Sequence, residues 1–266
     1  MATLGFIGTG NMGGALARAA CRSVPAGRVL LSNRTEEKAR ALARELGCRT
    51  ADNETVAGQA DLIFLGVKPQ YMGELFEEIG PVLKKREDRF VLVSMAAGLT
   101  IPRIRELAGG SYPVIRIMPN TPAGIGEGMI FYDCSGDVTE EEKAVFLEAM
   151  AGAGRLAPLA DHLMDAGSAV AGCGPAFADL FLEALADGGV ACGLPRGLAL
   201  ESAAQMMVGA AKLVLETGKH PGELKDAVCS PGGSTIQGVR TLEEAGFRGA
   251  VMDAVIAAYE KGTRLK

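Results

Sequence analysis

Tryptophan is absent from the 266 residues, and aromatic residues make up only 5% of them. Platforms for stacking nucleic-acid bases are therefore poorly supplied. No basic tract dominates, and the formal net charge is −5, which argues against a nucleic-acid partner. Histidine is nearly missing: His162 and His220 stand alone. Cys21, Cys48, Cys134, Cys173, Cys192 and Cys229 form no C-x-x-C pair, so no metal site is expected. Their scattered spacing reads as buried thiols in a reducing compartment, without a redox role. No signal peptide is expected, because the apolar run Thr3–Gly8 is short and no basic segment precedes it. The apolar stretch Ala166–Leu215 is broken by Asp179, Glu183, Asp187, Arg196, Glu201 and Lys212, so it is not expected to span a membrane. The expectation is a soluble, cytoplasmic protein.

What is present is hydrophobic material for a substantial core, 48% of the chain. The first half alternates strand and helix. Short apolar runs at Thr3–Ile7, Val29–Leu31, Leu62–Leu65, Phe90–Val93 and Val114–Ile117 read as buried strands. Between the second and third runs, Thr35 can cap a helix with Glu36 and Glu37 in its first turn; Ala39, Leu42, Ala43 and Leu46 share a face, and Gly47 ends it. Thr139 and Glu142 have the spacing of a capping box. Apolar strands separated by helices predict a parallel sheet covered on both faces, an α/β domain over residues 1–160.

From about Asp161 onward no strand is expected. Ala, Gly, Leu and Met dominate with helical periodicity, punctuated by Pro175, Pro195, Pro221 and Pro231. Stretches such as Ala184–Cys192 are apolar on more than one face and need cover on all sides. In an all-α domain of residues 161–266, a second subunit is the available cover, with Gly188, Gly189 and Gly193 permitting close approach. A homo-oligomer built through this half is expected.

Gly8-Thr9-Gly10-Asn11-Met12-Gly13 matches G-x-G-x-x-G directly after a strand and before a helix, the context a dinucleotide site requires. The glycines serve a tight turn, close approach to the pyrophosphate, and packing of helix on strand. After the second strand comes Ser32-Asn33-Arg34-Thr35, with no carboxylate to hold ribose hydroxyls and a guanidinium able to pair with a 2′-phosphate. NADP(H) is therefore expected over NAD(H). Val67, Lys68 and Pro69, then Ala96 and Ala97, then Asn120 lie at later strand ends, where ligands bind in open α/β sheets. Asn53 either caps the following helix or contacts the cofactor.

A second candidate site lies at Leu224-Lys225-Asp226 and Ser230-Pro231-Gly232-Gly233-Ser234-Thr235-Ile236. Paired glycines before a helix start present backbone N–H groups suited to a carboxylate, and Ser230, Ser234 and Thr235 add hydroxyls. The alternative is a plain helix cap.

With these motifs, and with Val67-Lys68-Pro69, Ala96-Ala97-Gly98, Met118-Pro119-Asn120-Thr121-Pro122, Gly172-Cys173-Gly174-Pro175-Ala176 and Ala186-Asp187-Gly188-Gly189-Val190, the chain resembles the pyrroline-5-carboxylate reductase family over nearly its whole length. The resemblance implies a Rossmann-type doubly wound parallel sheet followed by an all-α oligomerisation domain that interlocks into dimers, five of which can form a decamer. It implies hydride transfer from a nicotinamide to the C=N carbon of 1-pyrroline-5-carboxylate, a small cyclic imino acid, giving L-proline. It places the Thr235 hydroxyl at the substrate's ring nitrogen as the catalytic contact, and the backbone of Gly233–Thr235 with Ser230 and Gly232 at its carboxylate. His162 and His220 are then structural. Ala227 departs from the pattern, standing where many relatives carry a polar residue such as Asn, and Ser234 keeps only its backbone role. A β-hydroxyacid dehydrogenase would need a lysine on its first long helix, and Gly172–Glu183 contains none. A non-catalytic NADP-binding regulator would be expected to show a damaged Ser230–Thr235 loop, which is intact.

Overall fold

The computed structural model describes residues 2–264. The chain divides into two compact units, one running through Cys173 and including the chain from Ala258, the other Gly174–Ala257. In the first unit the elements are β1 (Leu4–Ile7), α1 (Asn11–Ser23), β2 (Val29–Ser32), α2 (Glu36–Leu46), β3 (Arg49–Thr50), α3 (Asn53–Gln59), β4 (Leu62–Leu65), α4 (Met72–Lys85), β5 (Val91–Ser94), α5 (Ile101–Ala108), β6 (Val114–Met118), β7 (Gly128–Cys134), α6 (Glu140–Ala149), β8 (Gly154–Pro158) and the short α7 (Met164–Gly167).

The strands form one sheet in the order β3-β2-β1-β4-β5-β6-β7-β8. All neighbours are parallel except β6 and β7. The five runs expected to be strands are β1, β2, β4, β5 and β6, each buried at every position as two-sided cover requires. One face packs Leu16, Ala20, Leu42 and Phe146 from α1, α2 and α6; the other packs Val56, Phe76, Ile79 and Ile104 from α3, α4 and α5. Phe6 and Phe64 stack at 4.4 Å between the neighbouring strands β1 and β4. Arg116, read from sequence as part of an apolar strand, is 1% exposed and is compensated by Asp161 at 2.6 Å. Three further strands, β3, β7 and β8, complete the edges of the sheet.

Local signals hold with two corrections. Gly47 closes α2 at φ 73°, and Thr139 and Glu142 form the reciprocal capping box. Thr139→Ala is expected to cost about 1 kcal/mol, read as a lower urea midpoint with an unchanged slope. Thr35 occupies the N-cap position of α2, but its hydroxyl makes no cap hydrogen bond. Asn53 does not cap α3: Asp52 does, accepting from the Thr55 N–H at 2.7 Å, which leaves the Asn53 amide free for other work.

The second unit is helical: α8 (Gly174–Ala191), α9 (Arg196–Thr217), α10 (Pro221–Ala227), α11 (Ser234–Glu244) and α12 (Phe247–Thr263), whose last residues belong to the first unit. Among the described residues, no strand follows β8. The expected apolar surplus is present and uncovered within the chain. Leu180, Leu198, Leu213, Leu215, Met252 and Ile256 are exposed, while α8 and α9 bury only Ala186, Ala199 and Ala203. Asp161–Ala191 and Arg196–Thr217 are long and apolar enough to cross a membrane by length and composition. Gly189 serves close approach inside the chain, since a Cβ there would lie 3.2 Å from the Ala199 Cβ; Gly188 faces open space.

Candidate functional site

The order of the sheet reverses between β1 and β4, so their carboxyl ends open a crevice where a ligand fits. Gly8 leaves β1 at φ +95° with its N–H donated to the Ser32 carbonyl at 2.9 Å. Gly13 lies so close beneath it that a Cβ would stand 2.0 Å from the Gly8 carbonyl oxygen. Gly66, after β4, presses on the same oxygen from the other side, at 2.3 Å for an added Cβ. Gly10 differs: a Cβ there meets nothing within 4 Å. The loop is thus tight below and open above, a cradle with room where Gly10 stands. Asn11 and Met12 begin α1, whose first turn carries no acidic side chain and whose N-terminus favours an anion. The Thr9 hydroxyl is buried without a hydrogen-bond partner. An open glycine, an unpartnered buried hydroxyl and a free helix start fit the pyrophosphate of a dinucleotide.

A cavity of about 600 Å³ runs from this loop past Asn33, Arg34, Lys38, Asn53, Val67 and Lys68. Asn33 braces its floor: the side-chain oxygen accepts the Thr9 N–H at 3.0 Å, and its NH2 donates to the Thr35 carbonyl at 3.1 Å. The loops after β1 and β2 are therefore tied together through one amide. Arg34 is exposed and lies over the Tyr71 ring, 5.3 Å from its centroid. Among the described residues it enters no ion pair. Two nearby carboxylates are engaged: Glu36 pairs with Arg40 at 2.5 Å, and Glu78 accepts from the Asn53 NH2 at 2.8 Å. The Ser32 hydroxyl donates to Asn53 Oδ1 at 2.6 Å, so both ends of that amide are fixed.

Tyr71, Glu74, Glu78 and Lys38 line the cavity and were not singled out in the sequence. Tyr71 follows the Lys68-Pro69 turn closely, and an aromatic there was the available signal. Pro69 starts that turn and is exposed, outside the cavity lining. Ala96 is buried and Ala97 exposed after β5, ahead of Gly98 at φ +77°. Asn120, after β6, is buried and spends its amide inside the fold, accepting from the Met129 N–H at 2.9 Å and donating to the Ala171 carbonyl at 3.1 Å. These three line the carboxyl edge of the next strands rather than the cavity around Gly8.

In the second unit, Ser230–Gly233 is a turn with Pro231 second and Gly232 third at φ +70°, closed by the Gly233 N–H to the Ser230 carbonyl at 3.0 Å. Gly233 then occupies the N-cap of α11, so Ser234 and Thr235 are its first residues, exposed and free of acidic neighbours in that turn. The helix start that a carboxylate favours is present. His220 is the N-cap of α10, its Nδ1 accepting the Gly222 N–H at 3.0 Å, which gives it the structural role expected. Among the described residues no cluster of His, Cys, Asp and Glu suits a metal ion.

Two family models match. Residues 161–265 match pyrroline-5-carboxylate reductase dimerisation, and residues 3–98 match NADP oxidoreductase, coenzyme F420-dependent. The chain is 41% identical to pyrroline-5-carboxylate reductase of Glycine max, covering 99% of this chain and 96% of that protein. It is 41% identical to the Escherichia coli K12 enzyme of the same name, covering 98% and 97%. Among solved structures, the NADP-bound pyrroline carboxylate reductase of Plasmodium falciparum superposes with a TM-score of 0.85 at 31% identity, covering 99% of this chain and 97% of that one.

Proposed function

This chain belongs to the pyrroline-5-carboxylate reductase family, and from that premise we propose that it reduces 1-pyrroline-5-carboxylate to L-proline with NADPH as the preferred donor. The reduction is the family's reaction; the preference for NADPH and the residue roles are inferred from this chain. When bound, the nicotinamide supplies a hydride to the C=N carbon. The chain's own residues bind, orient and shield. Gly8–Gly13 with the start of α1 hold the pyrophosphate, helped by Thr9, Asn11 and Met12. Val67, Lys68, Pro69, Ala96, Ala97 and Asn120 flank the nicotinamide half. The turn Ser230–Gly233 and the Ser234 and Thr235 N–H groups hold the substrate carboxylate, and the Thr235 hydroxyl meets the ring nitrogen.

A cyclic imine explains the modest machinery. Its nitrogen is basic enough to be protonated near neutrality, and the iminium is already electrophilic. Orientation can then supply much of the acceleration without a histidine, thiol or metal.

Arg34 carries the cofactor choice. It lines the cavity, in no ion pair with a carboxylate among the described residues, with Asn33 where an NAD site would place an acid. Its fork can hold a 2′-phosphate. Arg34→Ala is expected to raise KM for NADPH by roughly 10–100-fold and leave KM for NADH nearly unchanged. Steady-state kinetics with both donors decide it, and equal effects on the two would remove Arg34 from phosphate recognition. Asn53, fixed by Ser32 and Glu78, is assigned to the adenosine side of the same cavity.

The functional division is 1–160 for the cofactor and 161–266 for substrate and assembly. The match to a dimerisation model accounts for the uncovered apolar faces of α8, α9 and α12: a second copy covers them, as a homodimer able to build a decamer. A cytoplasmic location is part of the same proposal.

A further inference from the structure

We infer that Cys21 and Cys48 form a reversible oxidation site, closed to an intramolecular disulfide by hydrogen peroxide. Their sulfurs lie 3.2 Å apart, in hydrogen-bond contact, and both residues are half-buried. They are the one cysteine pair in such contact among the described residues. Cys21 is in the third turn of α1, and Cys48 follows Gly47, the residue that ends α2.

The contact is built. Arg18, one turn before Cys21, makes two hydrogen bonds of 2.8 Å to Glu45, which precedes Cys48 by the same three residues. A bidentate ion pair and a thiol pair therefore bridge the same two chain segments at equal spacing, and the first holds the register of the second. Only a small approach of the two sulfurs is needed to reach bonding distance. Either thiol can donate in this contact; with Cys48 donating, Cys21 is held below its ordinary pKa while Cys48 is pushed up. Cys21 is then the thiolate that reacts first.

The Cys21 thiolate attacks one peroxide oxygen, the O–O bond breaks, and hydroxide leaves as water after taking a proton, giving a sulfenic acid. Cys48, losing its proton, attacks the Cys21 sulfur; the S–O bond breaks and a second water leaves. Two thiols lose two electrons, and one peroxide becomes two waters. The bond ties the far ends of α1 and α2 and leaves Gly8–Gly13 and Arg34, near their opposite ends, untouched. Oxidation is thus expected to stiffen the nucleotide-binding half without blocking it.

The test uses the full-length protein carrying Cys192→Ser, which removes an exposed thiol able to link two chains. After brief peroxide treatment, the intact mass should fall by two hydrogens, and non-reducing peptide mapping should join Cys21 to Cys48. The thermal midpoint should rise by about 5 °C and return with dithiothreitol, with NADPH turnover retained. Cys48→Ser should fold and show none of these changes, and Cys21→Ser supplies a second control. A thiol count unchanged by peroxide, oxygens added to Cys21 without linkage, or a disulfide mapped to any other pair would overturn the assignment.

Discussion

Gly13→Ala is expected to abolish measurable NADPH binding and to destabilise the nucleotide-binding half. The added Cβ would stand 2.0 Å from the Gly8 carbonyl oxygen, a backbone atom with no rotamer to yield. That oxygen has little room to retreat, because Gly66 lies against it just after β4, so close that an added Cβ there would stand 2.3 Å from it. The start of α1 must therefore lift off the strand, and its N–H groups leave the pyrophosphate together. A fluorescence titration with NADPH should show affinity falling by at least about 100-fold, since several charge-assisted hydrogen bonds are lost at once. Gly10→Ala separates binding from folding. Its Cβ meets no protein atom within 4 Å, so the unfolding midpoint should hold while NADPH affinity falls, because the methyl enters the space the cofactor needs. Normal NADPH binding by Gly13→Ala would refute the packing argument.

The same contrast explains what could be read from the chain. Gly8, Gly10 and Gly13 are legible because their spacing follows a local geometric need, a turn, an approach and a packing contact within six residues. The five central strands are legible because burial on both faces forces unbroken apolar runs. β7 is not, because it lies near the sheet edge, is half-buried at most positions and includes Tyr132 and Asp133; β3 is two exposed residues that register only against β2. Asp52 and Asn53 are both good caps by composition, and only the backbone decided between them. Distant pairs were invisible for a different reason. Asn33 bracing the Thr9 N–H, Glu78 holding Asn53, and Cys48 touching Cys21 join residues more than twenty positions apart. Reading the cysteines by spacing alone predicted six separate buried thiols, whereas two are in contact and Cys192 is exposed. The loop Ser230–Thr235 stood out through resemblance; physics alone left it balanced against a helix cap, and the structure shows a turn through Gly232 with Gly233 at the N-cap of α11.

Thr235→Ala is expected to lower kcat by roughly 10–100-fold while leaving NADPH affinity within about twofold of the parent. In the proposed role, the π pair returns to nitrogen as a lone pair when hydride adds to the C=N carbon, and the Thr235 hydroxyl would donate to it. The iminium has no such lone pair, so the interaction strengthens along the reaction and appears in kcat more than in KM. Thr235 is exposed in the first turn of α11, where its loss removes no packing, so the variant should keep its thermal midpoint. Thr235→Ser keeps the hydroxyl on a less restricted side chain and should recover most of the rate. Ser230→Ala, by contrast, is expected to act at the carboxylate and to raise KM for the imine with a smaller change in kcat. Parallel loss of turnover and NADPH binding in Thr235→Ala, unrescued by serine, would assign the residue to the helix start alone. The split is decisive because the loop is closed by backbone, through the Gly233 N–H to the Ser230 carbonyl, and does not need the Thr235 side chain to hold its shape.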